Sequence, residues 1–237
     1  MKNIFFLILT TLFSINVIGQ TTEFSLHFTS GLFSFRGSES GNSTFYTLND
    51  PSSTSGRTNT PWGNSSGASY GFALNAQRVT KFNLIFGLQT GYESLSSRIK
   101  IRSIWVDNSS VAVTPGSKTD LNHQFINLHP FIGKRFNLLK NFQSDLILGL
   151  DLGIFLKVKE EPNIKSSLGT FDSSRERNKP EDNDFRLRID LINYYKNYGL
   201  TIGYSYGLTN YMKGYVGGSP EVYSRMLRLG LVYKICI

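Results

Sequence analysis

The chain has 237 residues, a formal net charge of +8 at pH 7, and a single cysteine, Cys236. Its 18 Phe and 12 Tyr residues exclude a disordered chain, and one cysteine excludes an internal disulfide. The basic charge suits either nucleic acid or an anionic membrane surface, and the N-terminal segment described next favours the membrane.

The first 20 residues, MKNIFFLILTTLFSINVIGQ, combine a basic residue, Lys2, with an apolar stretch from Ile4 to Ile18. That stretch is shorter than the roughly 20 residues of a transmembrane helix. It predicts a secretory signal peptide over residues 1–20, with cleavage after Gly19 or Gln20 and a mature domain over 21–237. A short membrane anchor or a buried strand is the alternative.

Alternation of apolar and polar residues dominates the rest of the chain and predicts eight strands. Short connections join the second strand to the third, the fourth to the fifth and the sixth to the seventh, and long polar segments form the other connections. Tight turns at one end and long loops at the other are typical of an all-β, up-and-down transmembrane barrel in an outer membrane. In chain order the predicted strands are 24–36, 69–79, a third starting at Leu84 with an extension through 98–105, 121–136, 144–158, 184–195, 198–211 and 225–237.

The seventh strand, YGLTIGYSYGLTNY, indicates which face of the barrel meets lipid. One face carries the small residues Gly199, Thr201, Gly203, Ser205 and Gly207, and the other carries Tyr, Leu and Ile. Small residues suit the interior of a narrow eight-stranded barrel, where they leave room for long side chains from other strands. The apolar face then points into lipid. A soluble barrel such as a lipocalin-like carrier is the alternative.

This orientation predicts a polar network in the barrel interior. Because the fifth to eighth strands are neighbours, we expect Asp151, Arg188 and Arg228 to approach one another. A structural plug of ion pairs is one interpretation, and a polar pathway for a small solute is the other. The predicted interior residues are His27, Glu93, Asp145, Asp151, Arg186, Arg188, Asp190, Arg228 and Lys234.

The stretch FINLHPFIGKRF, residues 125–136, contains a proline within a strand and a basic pair before a tight turn. It resembles the PorT-like outer-membrane β-barrel proteins, as do the eight strands and the closing RLGLVYK strand. The resemblance implies an outer-membrane location but no single activity, since members are diverse and the namesake takes part in protein secretion. The chain departs from many outer-membrane barrels because it ends in KICI rather than in an aromatic residue.

The sequence contains few candidates for catalysis. Three histidines, His27, His123 and His129, do not have metal-ligand spacing, and no nucleophile motif of the G-x-S-x-G type occurs. We therefore predict no catalytic residue, metal site or cofactor. A lipid-modifying enzyme with a histidine on the lipid-exposed face is a further alternative.

The stretch RIKIRSIW places Arg98, Lys100 and Arg102 on one face of an extended chain. If this segment continues the third strand beyond the membrane, these cations lie near the phosphates of lipopolysaccharide. A solvated basic edge that discourages aggregation is the alternative.

The leading functional hypothesis is a non-enzymatic outer-membrane protein with a structural or interaction role, including a role as an accessory to secretion or envelope assembly. A narrow small-solute channel is the alternative. The expected partners are outer-membrane lipid, lipopolysaccharide and another envelope protein of the Gram-negative cell, and nucleic acid is not expected.

Overall fold

The computed structural model describes residues 21–50, 56–177, 183–214 and 218–235, and these residues form thirteen β-strands. The signal peptide predicted over residues 1–20 and the final residues 236–237 lie outside the described residues. In the described part of the chain, no helix is long and apolar enough to cross a membrane. The strands are β1 (Thr21–Arg36), β2 (Ser43–Leu48), β3 (Gly56–Thr58), β4 (Ser65–Val79), β5 (Leu84–Val106), β6 (Ser109–Ala112), β7 (Lys118–Leu139), β8 (Phe142–Ser166), β9 (Gly169–Phe171), β10 (Arg175–Glu176), β11 (Asp184–Tyr195), β12 (Tyr198–Gly207) and β13 (Tyr223–Ile235).

Eight of these strands pair antiparallel in a closed ring. The order is β1, β4, β5, β7, β8, β11, β12 and β13, and β13 returns to β1. Phe24 pairs with Ile235 on one side, and Thr21 pairs with Val79 on the other. β1 is therefore paired on both sides, so the described ring does not have the exposed edge strand of an open sheet.

The connections differ between the two ends of the ring. At one end, named the turn end, residues 80–83, 140–141 and 196–197 join consecutive ring strands. Asn83 and Lys196 adopt positive φ angles of 59° and 54°, which close two of these turns. At the other end, named the loop end, the connections are long and contain β2, β3, β6, β9 and β10.

The strand boundaries correct the sequence-based prediction in two ways. The predicted fourth and fifth strands are longer than expected, because β7 and β8 continue beyond the rest of the ring, whereas β5 has the predicted extension. The predicted seventh strand is shorter and ends at Gly207. The segments interpreted as polar loops also contain five short strands, which lack the long alternation on which the prediction relied.

The two faces of the ring strands differ as the alternation predicted. Along β12, Tyr198, Leu200, Ile202, Tyr204 and Tyr206 are exposed, and the small residues between them are buried. A Cβ atom at Gly203 would overlap the Asp190 carboxylate on the neighbouring strand. The small face of β12 therefore leaves space for longer side chains inside the ring.

The interior is filled in layers. Apolar residues near the loop end form the loop-end cluster: Phe33, Phe35, Trp62, Leu95, Leu121, Phe125, Val158, Tyr211, Val222 and Met226. Apolar residues near the opposite end form the turn-end cluster: Val79, Ile85, Phe131, Ile147, Ile192, Tyr194 and Val232. Charged and polar side chains occupy the space between the two clusters. The sequence analysis predicted the polar middle but neither apolar layer.

Beyond the loop end, the long strands β5, β7 and β8 continue and pair with short strands, and this part of the sheet is named the extension. β2 pairs in parallel with β5, β3 pairs with β2, β6 pairs with β5, and β9 and β10 pair with β8. The extension has its own apolar core, because strands that leave the barrel still need to bury one face. That core consists of Tyr46, Leu48, Ile99, Ile101, Ile104, Val106, Ile164 and Phe171.

Candidate functional site

Charged side chains from four strands meet in the middle of the ring and form the central cluster, which consists of Glu93, Asp151, Arg186 and Arg228. Arg228 donates to both carboxylate oxygens of Glu93 and lies 3.2 Å from Asp151 Oδ2. Arg186 Nη2 lies 3.1 Å from the same Asp151 oxygen, and its Nη1 lies 3.3 Å from Glu93 Oε2. Asn127 on β7 donates to both carboxylates, at 2.7 and 2.9 Å. The contacts therefore join β5, β7, β8, β11 and β13 across the interior.

Burial makes this pairing necessary. The side chains of Asp151, Arg186 and Arg228 have no exposed surface, and Glu93 retains only 7%. A charge withdrawn from water costs several kcal/mol unless partners compensate it. Here the two guanidinium groups face the carboxylates of Glu93 and Asp151, and the buried carboxylate of Asp184 lies 3.7 Å from Arg186 Nε, so each charge has a partner of opposite sign. The central cluster has the geometry of a structural plug that holds opposite walls together.

A second group of ion pairs lies closer to the turn end. Arg135 on β7 donates to Asp145 through Nε and Nη2, both at 2.7 Å. The same guanidinium donates to both Glu23 oxygens, at 2.6 and 2.7 Å. Lys234 Nζ lies 3.4 Å from Glu23, and Gln77 donates to Glu23 as well. This group links β1, β4, β7, β8 and β13.

Arg188 pairs with Asp190, whereas Asp151 pairs with Arg186 and Arg228, so the approach of Arg188 to Asp151 and Arg228 stays a prediction. Arg188 Nε lies 2.7 Å from Asp190 Oδ2, two residues along the same strand. Both residues are buried and face the interior. The difference arises because residues two apart on one face of a strand are already close, so Asp190 reaches Arg188 without crossing the barrel.

The histidines lie inside the barrel. His27 and His129 are 3% and 2% exposed, on strands that are not neighbours, and His27 Nε2 lies 3.0 Å from Ser25 Oγ. Neither imidazole reaches the lipid-facing surface on which the enzyme alternative depends. His123 is buried within the loop-end cluster and stacks on Phe125. Among the described residues, no group of three or more His, Cys, Asp or Glu could hold a metal ion.

The structure therefore buries all nine residues predicted for the interior, and it adds charged residues that the prediction missed, among them Glu23, Arg135 and Asp184. Arg135 and Glu23 were not assigned, although Arg135 is spaced by an even number of residues from His129 and so shares its inward face. Period 2 could have found Arg135. Glu23 was missed because the first strand was predicted to begin at Phe24.

Aromatic rings close the interior towards the loop end. Phe35 packs edge-on against Trp62 and Tyr211, with ring centroids 5.0 and 5.3 Å apart. Trp62 belongs to the connection before β4 and Tyr211 to the connection after β12, so both fold inward from loops. Below this layer, a cavity of about 10 Å³ beside Glu93 is room for roughly one water molecule.

The outer surface of the ring is apolar on every strand. Large apolar side chains that would be buried in a water-soluble core are instead more than one-third exposed. We name this surface the apolar band. One member from each ring strand in order is Phe28, Phe72, Phe86, Ile132, Leu148, Ile189, Leu200 and Leu231.

Side-chain hydrogen bonds satisfy the edge of the extension at which backbone pairing between strands ends. Thr58 N on the edge strand β3 donates to Glu160 Oε1 at 2.6 Å, and Arg177 donates to Glu160 Oε2 at 2.8 Å. Arg175 donates to the Gly56 carbonyl at 2.9 Å. Burial raises the pKa of the Tyr46 phenol, whose oxygen accepts a hydrogen bond from Gly56 N. These contacts satisfy an edge that could otherwise pair with another chain.

The basic residues predicted to contact lipopolysaccharide lie on the outer face of the extension. Lys100 and Arg102 are exposed, and Arg98 is half-buried. Arg98 donates to both oxygens of Asp120, at 2.6 and 3.1 Å. This hydrogen bonding raises the pKa of Arg98 above its usual value. Arg98 is thus already paired, whereas the other two cations extend into solvent.

No family model and no curated protein matches the sequence. Solved structures that match the chain include Neisserial surface protein A, at 13% identity and a TM-score of 0.41, with 91% of this chain and 99% of that chain covered. Another is Ail, the attachment invasion locus protein of Yersinia pestis, in complex with the heparin analogue sucrose octasulfate, at 13% identity and a TM-score of 0.37, covering 92% and 100%. A FadL homologue of Pseudomonas aeruginosa matches at 7% identity and a TM-score of 0.21, covering 92% and 90%. These values are low, so the function proposed below rests on the pairing and surface of this chain.

Proposed function

We propose that the chain spans a Gram-negative outer membrane as an eight-stranded β-barrel and has a non-enzymatic structural or interaction role there. The observation that carries the proposal is the apolar band, which covers all eight ring strands around a charged interior. Such a surface is unfavourable in water and favourable in lipid. A closed ring also pairs the backbone groups of its strands, as the hydrocarbon core of a membrane requires.

The dimensions of the apolar band support this proposal. The band runs from Leu146 to Leu156 on β8 and from Phe185 to Tyr195 on β11. A tilted strand needs roughly 9–11 residues to cross the hydrocarbon core, which matches both lengths.

Aromatic residues lie at both edges of the apolar band. Tyr198 and Tyr233 pack together at the turn end, with ring centroids 5.3 Å apart. Tyr206 and Tyr223 lie at the loop end, where the Arg36 guanidinium is 3.8 and 4.6 Å from their ring centroids. Aromatic belts of this kind are common at the two interfaces of a membrane.

The proposed interaction role depends on the parts of the barrel that lie outside the membrane, namely the turns and the extension. We infer that the turn end faces the periplasm and that the loop end, with the extension, faces outward. The stretch at residues 125–136 that resembles PorT-like proteins lies in the part of β7 nearer the turn end. A PorT-like role as an accessory to secretion or envelope assembly would use the extension or the turns as contact surfaces for another envelope protein.

We expect the mature chain to require detergent or lipid. Refolded into micelles, it should migrate differently on gels before and after heating, and in cells it should fractionate with the outer membrane. The physical reason is the apolar band, which aggregates in water. A monodisperse preparation without detergent would contradict the proposal and favour the soluble-barrel alternative.

We expect no steady conductance in planar bilayers. The two apolar clusters and the central cluster fill the interior, and eight-stranded barrels are narrow. A matched control is the variant Phe35→Ala/Trp62→Ala, which removes two rings from the loop-end cluster and should conduct no less than the native protein. Steady native currents that are lost in Arg188→Ala would instead support the channel alternative.

A further inference from the structure

The pairing of β5, β7 and β8 defines rows of outward side chains that rise from the membrane. Tyr92, Ile126 and Ile154 pair directly and form the last row whose three members are all apolar, and Leu156, at the bulge that follows on β8, is the last exposed apolar residue of that strand. Four polar rows follow it towards the loop end. In order they are Ser94–Gln124–Lys157, Ser96–Asn122–Lys159, Arg98–Asp120–Glu161 and Lys100–Lys118–Asn163.

The height of each row follows from strand geometry. A strand rises about 3.3 Å per residue, and membrane strands tilt by about 35–45°, so successive rows lie about 5 Å apart. Lys157 and Lys159 are then about 5 and 10 Å above the last apolar row. The headgroup region extends about 5–7 Å beyond the hydrocarbon on each side. Lys100 and Lys118 lie about 20 Å above that row, and therefore beyond the phosphate of an ordinary phospholipid.

Cations outnumber carboxylates on this outward surface of β5, β7 and β8, which we name the cationic wall. Asp120 is paired with Arg98 and lies 4.0 Å from Lys118 Nζ, and Glu161 and Glu176 are the other carboxylates at these rows. Lys100 and Lys118 stand directly opposite each other in the ladder, and like charges in that position destabilise a sheet. An anion bound between them would remove that cost. The cations of the four rows are Arg98, Lys100, Lys118, Lys157 and Lys159.

We propose that this wall binds one lipopolysaccharide molecule of the surrounding leaflet, a step that rests on the proposed function. Its acyl chains would lie against Ile126 and Ile154, its lipid A phosphates would contact Lys157 and Lys159, and core phosphates or carboxylates would contact Lys100 and Lys118. A phospholipid carries its phosphate at one height above the hydrocarbon, whereas lipopolysaccharide is anchored in the bilayer and carries anions at several heights.

The proposal changes the set of residues expected from the sequence. Arg98 becomes a positioning residue, because Asp120 holds its guanidinium in an ion pair within the third row. Lys118, Lys157 and Lys159 come from strands whose basic residues did not stand out in the sequence. Only the register of three strands brings them to one surface.

The test is a titration of the full mature barrel in detergent micelles with core-bearing lipopolysaccharide, the same lipopolysaccharide after phosphatase treatment, and lipid A without core. Native mass spectrometry should give one bound molecule per barrel. Lys157→Glu/Lys159→Glu should weaken binding of both phosphorylated ligands by about 30-fold or more. Lys100→Glu/Lys118→Glu should weaken binding of the core-bearing form alone.

The matched control is Lys81→Glu/Lys140→Glu, which reverses two exposed lysines at the turn end and should leave binding unchanged. Equal weakening by this control, or equal affinity for the phosphatase-treated ligand and the native one, would overturn the proposal. Heat-dependent gel migration of each variant shows whether the barrel has folded and inserted. It therefore distinguishes a failure of the lipopolysaccharide site from a failure of the outer-membrane proposal. A variant set that inserts normally but shows no ligand preference contradicts only the lipopolysaccharide site, whereas a native chain that never inserts contradicts the outer-membrane proposal.

Discussion

Replacing Arg228 with leucine should lower the free energy of unfolding of the barrel by about 3–5 kcal/mol. The guanidinium is fully buried and contacts Glu93 and Asp151. Removing it leaves the buried carboxylates of Glu93 and Asp151 with a single guanidinium, that of Arg186, to balance their charge. Urea titration of the refolded barrel in lipid vesicles, followed by gel migration and tryptophan fluorescence, measures the change.

Arg225 is the matched control, because it lies on the same strand but on the outer face. Its Nε donates to Ser34 Oγ at 2.9 Å, and Arg225→Leu should cost less than about 1 kcal/mol. Combining Arg228→Leu with Glu93→Gln should cost less than the sum of the single changes, since the second removes the charge that the first leaves unpaired. Equal small losses for Arg228 and Arg225 would contradict the structural role of the central cluster.

Replacing Leu229 with arginine should lower the free energy of unfolding in bilayers by about 2–4 kcal/mol. Leu229 lies next to Arg228 on β13 but points outward, with 53% of its surface exposed and Ile202 opposite it on β12. Its place near the centre of the apolar band makes a charge there costly. The same urea titration in vesicles measures the effect.

Leu168→Arg provides the control for Leu229→Arg, because Leu168 is 45% exposed in the extension, outside the apolar band. That substitution should change the free energy of unfolding by less than about 0.5 kcal/mol. The pair also separates the membrane barrel from a soluble one. In water both leucines are simply exposed, so equal tolerance of the two arginines would contradict the membrane orientation.

The sequence alone determined the sidedness of the ring strands. Period 2 and the small residues of β12 assigned Asp151, Arg186 and Arg228 to the interior and the leucines to the surface, because in a strand each side chain points opposite to its neighbours. Alternating connection lengths indicated the up-and-down order. These are local properties, and each can be determined from residues close together in the chain.

Only the tertiary structure decided which interior charges meet and what closes the barrel. Glu93 and Arg228 are 135 positions apart, and Glu23 and Arg135 are 112 apart. Alternation gives the face of a residue but not its height, because height depends on the register of every strand around the closed ring. The apolar clusters and the rows of the cationic wall depend on the same registers, so the alternation of each strand by itself could not reveal them.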